Sequence, residues 1–80
     1  MFFYDFADMN QKAGQILLTF ATNLKKLREK KGYSQRGLAS HCNIDNADIS
    51  RMENGLSNVT LLTLEQLAEA LECDVKDFFE

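Results

Sequence analysis

Eighty residues, 45% of them hydrophobic, allow one domain with a modest core and no second one. A net charge of −3 argues at first against a nucleic-acid partner, but the charge is unevenly placed. Residues 19–55 carry seven basic and four acidic side chains (net +3), whereas residues 56–80 carry one and six (net −5), which favours a basic binding face with an acidic far side.

The opening MFFYDF lacks a basic flank and a long apolar run, so it reads as neither signal peptide nor membrane span. The expected location is the cytoplasm, or the nucleoid if the chain binds DNA. Residues 1–8 hold four aromatics. A flexible tail, an arm packed on the domain and part of a dimer contact all stay open for them. Ordered packing is preferred, because an exposed cluster would be an unusual apolar patch. From about Asn10 to Lys31 the pattern is helical, with Ile16, Leu17, Phe20, Leu24 and Leu27 on one stripe. Lys30 and Lys31 suit the negative helix end and Gly32 closes it, while Gly14 weakens the first half. Residues 1–15 are read as an N-terminal extension leading into this helix, and 16–80 as the folded domain.

Ser34 to Gly55, SQRGLASHCNIDNADISRMENG, holds two short helical patterns. Ser34 caps the first, Gln35 to about His41, which carries Leu38, Ala39 and Cys42 on one side. Asp45 caps the second, Asn46 to Asn54, which carries Ile49 and Met52, with Ile44 just before the cap and Gly55 as its stop. Helices this short cannot stand alone. The expected arrangement is a bihelical corner held by helices on either side and presenting the outer face of the second, a helix-turn-helix. Thr60 then caps a fourth helix with Leu61, Leu64, Leu67, Ala68 and Leu71, and Asp74 with Asp77 caps a last short one with Val75, Phe78 and Phe79. No alternating apolar pattern predicts a strand, so the fold class is all-α.

In fixed register, Ser34-Gln35, Leu38-Ala39, Ile44, Ile49-Ser50-Arg51 and Glu53-x-Gly55 are followed by Thr60-Leu61, Thr63-Leu64, Leu67-Ala68, Ala70-Leu71 and Phe78-Phe79. With these residues the chain resembles the Cro and phage-repressor (XRE-like) helix-turn-helix family over roughly residues 19–80. The run Ser57-Asn58-Val59-Thr60-Leu61 is also similar to restriction–modification controller proteins, small stand-alone regulators within that family. The resemblance implies a compact five-helix domain of the lambda-repressor-like type, with the motif at helices 2 and 3. It implies a sequence-specific transcriptional regulator binding double-stranded DNA as a homodimer on a two-fold related operator. Three positions depart from the family pattern. Gly37 stands where glutamate would complete a capping box with Ser34, which should weaken that helix by about 1 kcal/mol. Val59 replaces a frequent proline, and Glu72 a frequent glycine at a helix end, so that end should be less crisp.

Carried over from the family, the base-reading positions are Asn46, Ala47 and Arg51. Asparagine can pair bidentately with adenine and arginine with guanine, whereas alanine can touch only a thymine methyl. Against this stands an ordinary solvated helix face, for which the same residue types are common. Gln35 matches glutamines that bridge a phosphate and the start of the recognition helix, and Arg36, Asn54 and Asn58 are further phosphate-contact or positioning candidates. Asp45 and Asp48 sit awkwardly near phosphates. Helix capping and the helix dipole account for them, with tuning of base choice by Asp48 as a secondary role. Arg28 and Glu53 match a structural ion pair of the family, linking the first helix to the end of the recognition helix.

Catalysis has little to work with: one histidine, no paired acids in a cleft and no glycine-rich phosphate loop, so no enzyme is expected. His41 beside Cys42 does not make a metal site, the two cysteines read as buried thiols at apolar helical positions, and no cofactor or small-molecule effector is evident. The dimer contact is expected at the C-terminal end, with Phe78 or Phe79 near the axis and help from Phe2, Phe3 or Phe6. Two rivals remain: a protein-interaction module on a helix-turn-helix scaffold, and the DNA-binding antitoxin of a toxin–antitoxin pair.

Overall fold

The computed structural model describes residues 6–80, with side chains described from residue 14 onward. The expectations for Phe2, Phe3 and the Phe6 side chain lie outside the described residues. Four α-helices follow one another: α1 (Phe6–Lys31), α2 (Gln35–His41), α3 (Asn46–Glu53) and α4 (Leu61–Leu71). The chain then forms a 3-10 segment, Val75–Phe79. No strand occurs among the described residues. The architecture is all-helical, but its fifth element is one 3-10 stretch rather than a fifth α-helix. There Asp77 N–H bonds the Asp74 carbonyl at 3.0 Å, and Asp74 N–H bonds Asp77 Oδ2 at 3.0 Å.

α1 starts at Phe6, earlier than the apolar stripe predicts, and its 26 residues amount to about 39 Å. That length accounts for the molecule's longest dimension of 42 Å. The core collects Phe20 and Leu24 from α1, Leu38 from α2, Ile49 and Met52 from α3, and Leu64, Leu67, Ala68 and Leu71 from α4. Phe78 closes it from the 3-10 segment. Phe20 meets Phe78 edge-to-face with ring centres 5.4 Å apart, and Phe79 stacks over Phe20 at 6.2 Å. Asn23 Nδ2 fastens the segment by donating to the Phe78 carbonyl at 2.8 Å.

Three expectations about burial or placement need correction, though Cys42 is buried as expected. Phe78 is fully buried inside the protomer, so it is not free to lie at a dimer axis. Ile16 and Leu61 belong to apolar stripes by spacing, yet are 55% and 82% exposed. Each is the first residue of its stripe. Neither cysteine lies inside a helix: Cys42 is the C-cap of α2 and buried, and Cys73 follows α4, half-buried. Burial pushes both thiols above their usual range.

α1, α3 and α4 end in the same way. A residue with positive φ (Gly32 at 82°, Gly55 at 70°, Glu72 at 54°) turns the chain, and the next N–H reaches back to a carbonyl one turn inside the helix. Glu72 therefore ends α4 as sharply as glycine would, despite the steric penalty a side chain meets in this region. Its carboxylate pairs with Lys31 Nζ at 2.7 Å, tying the ends of α1 and α4 together.

Candidate nucleic-acid interface

α2 and α3 form the corner. Ser34 Oγ accepts the Gly37 N–H at 2.9 Å, half of a capping box whose other half Gly37 cannot supply. α3 differs from expectation at its cap. Asp45 occupies the N-cap position, but its side chain makes no capping bond; only its carbonyl is engaged, by Asp48 and Ile49 N–H. The apolar side of α3, Ile49 and Met52, is buried, which turns Asn46, Ala47 and Arg51 outward to solvent.

Behind α3 lies a polar lock. Glu53 takes two bonds from Arg28, from Nε at 2.6 Å and Nη2 at 2.9 Å. Arg28 Nη1 also donates to the Tyr33 carbonyl at 2.8 Å, in the turn between α1 and α2. Gln35 Nε2 adds a bond to Glu53 Oε1 at 3.1 Å. Arg28 is 8% exposed, and its hydrogen bonds to Glu53 raise its pKa above the ordinary arginine value. Among the described residues no buried side-chain nitrogen or oxygen lacks a partner. The lock thus joins α1, the first residue of α2 and the last of α3.

The remaining candidates are spread around this corner. Arg36 is exposed in the first turn of α2, and Asn58 is exposed in the loop leading to α4. Asn54 is exposed at the far end of α3, where its Nδ2 donates to the Ser50 carbonyl at 2.9 Å. Asn46 and Asn54 thus stand at opposite ends of α3, about 12 Å apart along its axis. His41 Nδ1 lies 2.8 Å from the Gly37 carbonyl, an acceptor, so that nitrogen carries the proton. The ring stacks on Tyr33 at 4.6 Å, on the side of α2 near α4.

Two contacts were not anticipated from the sequence. One is the Gln35 bond to Glu53. The other is an ion pair on α3 itself, between Arg51 Nη2 and Asp48 Oδ1, one helical turn apart. Their spacing of three was the available signal.

A helix pair locked from behind and exposed in front defines a class, and comparison with known proteins identifies it. A family model described as "Helix-turn-helix" matches residues 24–78, more than half of the chain, and the chain belongs to that family. The control protein C.MunI of a Mycoplasma species is 37% identical over 65 residues, spanning 80% of this chain and 88% of that protein. Among solved structures, the restriction–modification controller protein C.AhdI from Aeromonas hydrophila superposes with a TM-score of 0.76 at 35% identity. The match covers 79% of this chain and 96% of that one. The controller protein C.Esp1396I, solved as a tetramer with its natural 35 base-pair operator, gives a TM-score of 0.73 at 34% identity, covering 80% and 84%.

Proposed function

We propose that the chain is a sequence-specific DNA-binding transcriptional regulator of the restriction–modification controller kind, working in the cytoplasm. The carrying observation is the outward face of α3, with Asn46 and Arg51 exposed on a helix whose other side is buried and ion-paired to α1. In this reading α3 enters the major groove, where Asn46 and Arg51 read base edges and Ala47 meets a thymine methyl. Gln35, Arg36, Asn54 and Asn58 contact the phosphate backbone and fix the register. Occupancy of the operator then blocks or assists polymerase.

The regulator acts as a homodimer on half-sites about 34 Å apart. With Phe78 inside the protomer, Leu56, Leu61 and Leu62, 72–82% exposed, are the apolar residues that support a second copy. Selection of bound sequences from random duplex DNA tests the reading. A two-fold related sequence bound with steep salt dependence is the expected result. Absence of salt-dependent duplex binding hands the scaffold to the protein-interaction reading. Sedimentation tests the dimer separately: Leu62→Lys should shift it toward monomer, and a wild-type monomer at high micromolar concentration refutes it.

A further inference from the structure

We propose that Asp48 determines specificity by positioning Arg51: it holds the guanidinium where it can read a base, and its charge penalises DNA that lacks that base. The inference rests on the regulator reading above and extends it to a residue that contacts no base itself.

Three observations carry it. First, Arg51 donates to Asp48 through one nitrogen only, Nη2 to Oδ1. A guanidinium has five N–H groups, so a fork stays free for O6 and N7 of guanine. Second, both side chains are about half exposed, at 57% for Arg51 and 42% for Asp48, so the pair lies on the outer face rather than in the core. A long side chain already held in one orientation loses less freedom on binding than a free one. Third, the outer half of α3 has a poor charge for its task, with Asp45 and Asp48 against Arg51. A carboxylate near phosphates weakens binding to every sequence. Only where Arg51 lies against its base is that penalty offset, so Asp48 trades affinity for discrimination. Its place in the first turn of α3 also suits the helix dipole. That role alone predicts no effect on base preference, and so the two roles are separable.

The test uses the full chain and the duplex it selects from random DNA, with a set of single-base substitutions and a scrambled duplex, at two salt concentrations. Asp48→Ala should bind the scrambled duplex about threefold more tightly. It should also lose about fivefold of discrimination at the same base pair that Arg51→Ala affects, and at no other. Asp48→Asn, which keeps the size and an acceptor, should gain the same non-specific affinity while retaining part of the discrimination. Added to Arg51→Ala, Asp48→Ala should change the base profile nowhere. An unchanged profile in Asp48→Ala and Asp48→Asn, with only a lowered Tm, assigns Asp48 to the dipole and overturns the proposal. Uniform loss at all base pairs overturns it as well. If the wild type selects no sequence, the regulator reading falls and takes this proposal with it; selection by the wild type with indifferent variants sinks the proposal alone.

Discussion

Two arginine–carboxylate pairs meet on α3, and they are built for different work. Arg28 and Glu53 make a two-pronged contact that is buried, with side chains 10% and 3% exposed, and Gln35 and the Tyr33 carbonyl take up further valences. Arg51 and Asp48 make a one-pronged contact in the open. In the first, every side-chain nitrogen and oxygen of the pair has a protein partner, and the pair is shielded from solvent. In the second, most of the guanidinium's donors remain available. Low dielectric makes the buried pair costly to break from one side, whereas water and salt keep the exposed pair weak. The same chemistry therefore serves as a fastener at one end of the helix and, in the function proposed above, as a recognition element on its face.

The largest expected effect comes from breaking the fastener. Arg28→Ala strands the Glu53 carboxylate and should cost about 3 kcal/mol of stability, read from denaturant unfolding. A cycle with Glu53→Ala should show strong coupling, and negligible coupling would remove the distinction between the two pairs. Next is the recognition side. Arg51→Ala should cost about 1–3 kcal/mol on the preferred operator while shifting folding stability by less than about 0.5 kcal/mol. Gln35→Ala should weaken all sequences alike and leave the salt slope nearly unchanged, because glutamine is uncharged. Base-specific loss in Gln35→Ala with uniform loss in Arg51→Ala would reverse these assignments.

Smaller is the effect of Gly37→Glu, which completes the capping box and removes a helical glycine. It should stabilise by about 1 kcal/mol in the same unfolding assay. A Cβ here would lie 3.2 Å from Ser34 Oγ, so the serine must shift by a few tenths of an ångström. Destabilisation would mean that it cannot. The smallest effect lies at the exposed Lys31–Glu72 pair, whose hydrogen bond lowers the Glu72 pKa below the ordinary 4.5. A depressed carboxylate pKa contributes stability present above about pH 4.5 and lost as pH falls through the folded-state value. Glu72→Gln should therefore lower Tm slightly at neutral pH and leave it unchanged well below pH 4.5, so that the acid limb of a Tm-against-pH curve flattens.

Much of this could be read from the chain itself. Ser34, Thr60, Gly32 and Gly55 act within one turn of their own position, so the starts of α2 and α4 and the ends of α1 and α3 fall within a residue of where their caps predict. The family pattern placed the outward face of α3, because the burial of Ile49 and Met52 leaves Asn46, Ala47 and Arg51 on the other side. The i, i+3 spacing of Asp48 and Arg51 was equally visible, but whether the arginine turns to that partner is a rotamer choice which spacing does not settle.

What only the tertiary structure decided is where each helix stops having neighbours. A period of 3.6 places Ile16 and Leu61 on the apolar side without saying that the packed surface ends before it reaches them. Phe78 and Phe79 are indistinguishable by sequence, and the approach of the last segment to Phe20 buries one fully and leaves the other 40% exposed. Capping and helical register are energies of adjacent residues, and so are written locally. Burial depends on residues far apart in the chain, such as Phe20 and Phe78, separated by 57 residues, and exists only once the helices have met.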